Sequence, residues 1–157
     1  MKIETGEKNG ILRKIAKKVE KIDDEIRDLA EKMRAEVAGD KNAVGLAAPQ
    51  IGRSVRVIVA TIGKNEIVMI NPEIKSFSAE CETAEEGCLS LPGQFFPVSR
   101  AKKITVEFLN LDGQKIILPL KDFDARVVQH EIDHLNGVLF IDRISKEIFE
   151  NSAAKMI

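Results

Sequence analysis

The chain has 157 residues, of which 44% are hydrophobic and 31% are charged, and its 24 Lys and Arg oppose 25 Asp and Glu. This composition excludes a disordered or collagen-like chain, and a net charge of −1 supplies no field that would hold nucleic acid or an anionic membrane. The N-terminus lacks the apolar run of a signal peptide, and no segment approaches the roughly 18 apolar residues of a membrane span. We therefore predict one domain over residues 1–157 in the cytoplasm, with no membrane and no specific DNA partner.

Two helices are predicted in the first part of the chain. The first covers residues 11–21, with Asn9 as its N-cap. The second covers residues 23–38, where acidic residues crowd the first turn and apolar residues recur at helical spacing.

Two strands follow these helices. Alternating valines predict a strand over residues 54–61, and a Gly-Lys-Asn turn leads to a second strand over residues 66–70. Asn71-Pro72 is predicted to end that second strand.

A hairpin and a helix are predicted in the C-terminal part. Residues 104–108 and 115–120 are strands joined by an Asp-Gly turn, a strong hairpin signal. Asp122 or Asp124 can then cap a helix that runs to about residue 136. Strands joined by hairpins predict antiparallel sheets, and therefore an α+β fold.

The two histidines, His130 and His134, stand four positions apart in the stretch His-Glu-Ile-Asp-His. On a helix, this spacing places both imidazoles on one face, where they can bind a metal ion, and Glu131 is close enough to handle a proton. Phe123 and Val127 share the stripe, which predicts a dry face around the pair. The alternative is a buried helix whose histidines are only hydrogen-bonded to several separate polar partners.

A catalytic metal site of this kind needs a third protein ligand. The metzincin pattern would place a histidine at Phe140, and the thermolysin-like pattern needs a later glutamate, for which Glu147 and Glu150 are candidates. A cysteine is the better ligand, and Cys88 lies in a stretch whose Gly and Pro content predicts a loop. Cys81 is its competitor, without turn residues around it.

Residues 43–52 form an apolar stretch of small residues with a single amide, Gln50. One interpretation is a tight loop packed under the sheet. The other is a backbone that approaches a ligand closely at Gly45, with Gln50 offering a hydrogen-bond donor to the site.

These three stretches together resemble the peptide deformylase family. The family motifs Gly-x-Gly-Leu-Ala-Ala-x-Gln, Glu-Gly-Cys-Leu-Ser and Gln-His-Glu-x-Asp-His correspond to residues 43–50, 86–90 and 129–134. The likeness extends over about residues 10–145, and Ala43 stands where the family has glycine. The resemblance implies one catalytic domain with N-terminal helices, whose antiparallel sheets pack around a central buried helix carrying the His-Glu-x-x-His motif.

The resemblance also implies a mechanism that removes the N-formyl group from N-terminal formylmethionine and releases formate. It needs a divalent metal, usually Fe(II) in the family, for which Zn, Ni or Co can substitute. Three residues would bind this metal: Cys88, His130 and His134. Glu131 would transfer the proton, and the Leu89 backbone N–H and the Gln50 side chain would stabilise the oxyanion.

A methionine pocket and a supporting ion pair are implied as well. The pocket residues would be Val44, Gly45, Phe123 and Val127. Arg100 and Glu86 would brace Asp133 behind the metal, and the alternative interpretation of this trio is a surface ion pair.

N-formylmethionyl nascent peptides are the implied partners, and the oligomeric state stays open. A basic cluster could dock on the ribosome, although such a cluster is more often a solvated helix face. Its members are Arg13, Lys14, Lys17, Lys18 and Lys21. Two other functions stay open: a zinc endopeptidase, which shares the histidine pair, and a metal-stabilised binding domain without activity.

Overall fold

The computed structural model describes residues 1–144 of the chain. Three helices occur in this part: α1 (Gly10–Arg13), α2 (Asp24–Gly39) and α3 (Asp122–Leu135). Seven strands lie between α2 and α3: β1 (Gly45–Ala47), β2 (Val57–Ile62), β3 (Asn65–Phe77), β4 (Cys81–Cys88), β5 (Leu91–Ala101), β6 (Lys103–Leu109) and β7 (Lys115–Lys121). Two 3-10 turns, Ala48–Ile51 and Phe140–Arg143, follow β1 and α3. Within residues 1–144, no helix has the length and apolar character needed to cross a membrane.

The strands form two antiparallel sheets. The larger has five strands in the order β1-β2-β3-β6-β7, and β4 and β5 form a separate hairpin. Each pairing is antiparallel, as expected for strands connected mostly by short turns. The predicted α+β fold with antiparallel sheets is therefore confirmed.

Helix α2 packs its apolar stripe against β2 and β3. Its start is fixed by Asp23, whose carboxylate accepts a hydrogen bond from the Ile26 N–H at 3.0 Å, and by two acidic residues in the first turn, which suit the positive end of the helix dipole. The buried stripe consists of Ile26, Leu29, Ala30, Met33 and Val37. The predicted bounds differ from the observed ones by a single residue at each end.

Helix α3 lies against the larger sheet, and ten of its 14 residues are buried. Val128 and Leu135 belong to the main core cluster. The start of the helix differs from the prediction, because neither Asp122 nor Asp124 is the N-cap. That position is taken by Lys121, which makes no side-chain capping bond, and the two aspartates occupy the first turn.

The predicted helix over residues 11–21 is wrong. Asn9 does cap α1, but the helix ends at Arg13. Beyond it, the N–H groups of Ala16 and Lys17 donate to carbonyl groups of α3 and of the segment before β2, at 2.8 and 2.9 Å. These long-range bonds replace the bonds that a longer helix would make within itself.

The predicted end of a strand at Asn71-Pro72 is also wrong. Strand β3 continues to Phe77, with an irregular register between Ile70 and Glu73 where it pairs with β6. Asn71 has a φ of 52°, so the backbone kinks there without leaving the sheet.

The predicted loop at Cys88 is in fact the end of strand β4. Cys88 pairs with Leu91 of β5 across a two-residue turn. The hairpin shows no apolar alternation because two of its buried side chains, Glu86 and Arg100, are charged. A strand with a charged inner face lacks the periodicity from which strands are predicted.

Candidate metal centre

The three predicted metal ligands come together where the tip of the β4–β5 hairpin meets α3. The ligand atoms of Cys88, His130 and His134 all lie within 4.8 Å of one another, and Cys88 Sγ is 3.3 Å from Nε2 of His134. One thiol sulfur and two imidazole nitrogens are the donor set of a transition-metal site with an open coordination position. Cys81 lies exposed at the other end of β4, outside this cluster. The alternative glutamate ligands lie outside the described residues: Glu147 and Glu150.

Glu86 fixes the orientation of His130. Its Oε1 lies 2.9 Å from Nδ1 of His130, which leaves Nε2 as the ring nitrogen available to a metal. The buried carboxylate of Glu86 is held in turn by Arg100, whose Nε and Nη2 each donate to it at 2.8 Å. A carboxylate behind a metal-binding imidazole orients the ring and raises its basicity.

Arg100 also links this pair to Asp133, as the resemblance to the family implies. Its Nη1 donates to Asp133 Oδ2 at 2.6 Å, and Arg143 donates to the same carboxylate at 2.6 and 2.9 Å. Arg100 and the two carboxylates are buried, so the trio is not a surface ion pair. Sequence reasoning missed Arg143 and also Arg126, whose place one turn before His130 was the available signal.

Glu131 is buried beside the cluster and lies against the backbone of β1. Its Oε2 has no hydrogen-bond partner among the described residues. A Cβ added to Gly45 would lie 2.6 Å from Oε1 and 3.0 Å from Cγ, so any larger residue there would force the Glu131 side chain to shift. Burial raises the pKa of Glu131 to about 7. A carboxyl group of this pKa can accept and return a proton near neutral pH.

Gln50 holds its amide nitrogen beside the thiol of Cys88. The Oε1 atom accepts a hydrogen bond from the Ala47 N–H at 2.9 Å, which fixes the amide orientation. Its Nε2 lies 3.1 Å from Ser90 Oγ and 3.6 Å from Cys88 Sγ. Leu89 lies in the turn of the hairpin and, like Gln50, lines the cavity next to the cluster.

That cavity has a volume of about 540 Å³. The predicted pocket residues all line it: Val44, Gly45, Phe123 and Val127. Ala43, which replaces the family glycine, is also part of its wall. Val127 is buried, but Phe123 is 60% exposed, so the predicted dry stripe is open to solvent at the start of α3.

The pKa values of the two histidines are shifted in opposite directions. Burial lowers the pKa of His134 well below its usual value. Burial acts in the same direction on His130, but hydrogen bonds to Cys88 and Glu86 outweigh it and raise the pKa of His130 to about 10. Although burial raises the pKa of Glu86, hydrogen bonds from Arg100 and His130 hold that pKa well below the usual range. Because a metal ligand must be neutral imidazole, a metal held by His130 would take the place of a proton on that ring.

Comparison with known proteins gives this geometry a family. A family model of polypeptide deformylases matches residues 1–149. The chain belongs to the polypeptide deformylase family. The peptide deformylase of Dictyoglomus thermophilum is 50% identical over 137 residues, which cover 87% of this chain and 88% of the relative. That of Thermotoga sp. strain RQ2 is 48% identical over 135 residues, covering 86% and 82%.

Solved deformylase structures share the fold. The crystal structure of the Thermotoga maritima deformylase has a TM-score of 0.87 and 44% identity, and covers 92% of this chain and 97% of that one. A class I type b deformylase from Acinetobacter baumannii, solved with Met-Ala-Ser bound, has a TM-score of 0.86 and 38% identity, and covers 92% and 98%. This family membership decides against the endopeptidase and the inactive binding domain.

Proposed function

We propose that the cavity beside the three clustered ligands is where this deformylase removes the formyl group from the N-terminal formylmethionine of newly synthesised polypeptides. The observation that carries the proposal is the convergence of Cys88, His130 and His134 next to the buried carboxylate of Glu131. These three ligands fit a divalent transition metal. Such an ion would polarise the formyl carbonyl and lower the pKa of a water molecule.

Glu131 supplies the proton transfer in this proposal. Its carboxylate lies against the backbone of Gly45, with one oxygen free of any partner in the described chain. That oxygen can accept a proton from the attacking water and return it to the amine that leaves. A pKa of about 7 suits both halves of this exchange.

Two donors stabilise the negative charge that develops on the formyl oxygen. The amide of Gln50 is held in one orientation by the Ala47 N–H, which donates to its Oε1 atom. The backbone N–H of Leu89 is the second donor, at the turn that follows Cys88. Each donor of this kind is worth about 3 kcal/mol in the transition state.

The apolar wall of the cavity binds the methionine side chain. Val44, Phe123 and Val127 present apolar surface suited to a flexible thioether. The relative from Acinetobacter baumannii was solved with Met-Ala-Ser bound, a peptide that begins with the residue this wall would hold. The substrate is therefore a formylated peptide whose first residue is methionine.

The proposal extends to the metal, the domain and the place of action. Fe(II) is the proposed metal, with Zn, Ni or Co able to replace it, and metal analysis of protein purified without oxygen tests this. One catalytic domain over residues 1–157 acts on nascent chains in the cytoplasm. The basic cluster offers a surface for ribosome docking, since its lysines are exposed on the extended segment after α1.

The test is formate release from an N-formylmethionyl tripeptide by protein reconstituted with Fe(II) without oxygen. Glu131→Ala is expected to lose at least about a hundredfold in turnover while keeping its metal, because it lacks the proton-transfer group. The matched control is Glu31→Ala, at an exposed glutamate of α2, which keeps native turnover. Metal-loaded native protein that releases no formate refutes the function, and unchanged turnover in Glu131→Ala refutes the role of that residue.

A further inference from the structure

Arg126 is a buried cation on α3 that the proposed mechanism does not use. It is 8% exposed and lies one helical turn before His130. Its Nη1 donates to Glu86 Oε2 at 2.6 Å and to the Val98 carbonyl at 2.9 Å. Its Nη2 donates to the Glu82 carbonyl at 2.6 Å. One guanidinium therefore contacts a carboxylate and two backbone carbonyls at once.

The two carbonyl groups belong to different strands of the hairpin. Glu82 lies on β4 and Val98 on β5. In residues 1–144, no other side chain donates to the backbone carbonyls of both of these strands. Arg100 differs in kind, because it belongs to the hairpin itself and reaches only carboxylates, those of Glu86 and Asp133.

Side-chain links to α3 act together with an apolar cluster in which Leu91 and Val98 of the hairpin pack against Leu12, Leu139 and Phe140. The hairpin forms a sheet of its own, so no strand pairing with the larger sheet fixes its place. At its base, the Gln129 amide exchanges two hydrogen bonds with the backbone of Ala101, at 3.2 and 2.9 Å. Cys88 lies at the opposite end of β4. Arg126 attaches to α3 the part of the hairpin that lies between these two ends, where Val98 pairs with Ala84.

We propose that Arg126 is a positioning residue, which fixes the hairpin against α3 and thereby sets the place of the Cys88 thiol relative to the two histidines. This inference rests on the proposed metal site. The planar fork of the guanidinium is what the role requires, because its two terminal nitrogens donate in different directions. A lysine ammonium is a single point and cannot reach all three acceptors in this geometry.

Charge alone is the competing explanation for a buried arginine at this place. Arg126 faces the carboxylate of Glu86, but Arg100 already contacts both oxygens of that group. A counterion for Glu86 is therefore present without Arg126. The two explanations make different predictions for a variant that keeps the positive charge but lacks the planar guanidinium.

The experiment measures Co(II) binding by competition with a chelator, and the absorption of the bound ion. Cobalt is the probe because its thiolate charge-transfer band and d–d bands report on sulfur ligation and geometry. R126M keeps an unbranched side chain but has no hydrogen-bond donor, and R126K keeps the positive charge. Both are expected to bind Co(II) about ten- to a hundredfold more weakly and to shift the thiolate band, as for other residues that support metal ligands.

The matched control is V37A, a core substitution that lowers stability on α2, a helix that supplies none of the three ligands. It is expected to keep native cobalt affinity and the native spectrum. Native affinity and spectrum in a folded Arg126 variant overturn the proposal, as does full restoration in R126K, which would assign the effect to charge. If R126M fails to fold by circular dichroism, R126K alone decides. The cobalt measurements use no formyl peptide, so their outcome does not depend on whether the protein has the proposed activity.

Discussion

Gly45 determines how closely β1 can approach the carboxylate of Glu131. Glu131 is buried and Gly45 is half-buried at the start of β1. The glycine is required here because of space: its φ is not in the left-handed region, and a methyl group would overlap the carboxylate. Close approach of a backbone is one of the uses of glycine that no other residue can replace.

Gly45→Ala is therefore expected to reduce kcat for a formylmethionyl peptide by at least about tenfold, because a displaced catalytic group loses rate steeply with distance. Steady-state formate release is the measurement. Gly39→Ala, at the last residue of α2 where an added Cβ meets no atom within 4 Å, is the control and keeps native kcat. Native kcat in Gly45→Ala would show that the Glu131 carboxylate does not need this space.

The ligands that the sequence predicts are those whose signal is local. His130 and His134 share a helix face by spacing alone, and thiolate chemistry favours a cysteine as the third ligand. The helical spacing from His130 places Arg126 near the same face, but neither its partners nor those of Arg143 could be predicted in this way. Their partners lie on a hairpin and in a network whose place depends on the tertiary fold, about which a side chain's neighbours in sequence carry no information.

At the scale of elements, the sequence predicts those elements whose backbone hydrogen bonds and apolar pattern are local. Helix α2 satisfies its own backbone and buries a regular stripe, so its bounds follow from periodicity. The backbone after Arg13 makes hydrogen bonds to α3 and to the segment before β2, so the helix that the sequence pattern predicts there does not form. The β4–β5 hairpin was missed because its buried side chains include Glu86 and Arg100, which hide the strand alternation.

Asp142 joins the 3-10 turn after α3 to the first helix. Its carboxylate accepts hydrogen bonds from Arg13 Nη1 at 2.5 Å and from the Leu139 N–H at 2.9 Å. Although partial burial raises the pKa of Asp142, these donors hold that pKa below its usual value. The stabilisation is therefore complete above the pKa of an unfolded aspartate, about 3.9, and is lost as the pH falls through the folded-state value.

Asp142→Asn is expected to lower the free energy of unfolding by up to about 1 kcal/mol at neutral pH, since the ion pair is partly exposed. The loss shrinks when urea unfolding is repeated near pH 2.5, below the pKa of an unfolded aspartate, about 3.9. Glu31→Gln, which removes the exposed partner of Arg34, is the comparison and changes stability by less than about 0.5 kcal/mol. An equal loss for Asp142→Asn at both pH values would contradict the assigned ion pair.

At the scale of the whole molecule, a bound metal joins two parts of the fold that share no strand pairing. Cys88 comes from the hairpin, and both histidines come from the helix on the larger sheet. A ligand that binds only the folded state stabilises it, by about 2.7 kcal/mol at a hundred times its Kd. Metal removal should therefore loosen the attachment of the hairpin as well as abolish activity.

Chelator-treated protein is expected to show a lower Tm, which added Zn restores. Cys88→Ala should lose most of this response to zinc, because it lacks the thiol that ties the hairpin to the ion. Cys81→Ala is the matched control on the same strand and keeps the response, since its thiol is exposed and outside the cluster. An equal zinc-induced rise in Tm for Cys88→Ala would show that the hairpin does not supply a ligand.

The three ligands come from two elements, β4 and α3, and these elements are synthesised one after the other. Synthesis produces Cys88 before His130, which follows 42 positions later in the sequence (88 to 130). Until residues 122–135 have been synthesised, the three ligand atoms cannot lie together. Docking of α3 against the tip of the hairpin creates the ion's binding site. The complete metal site therefore forms only after α3 has been made and has packed against the hairpin.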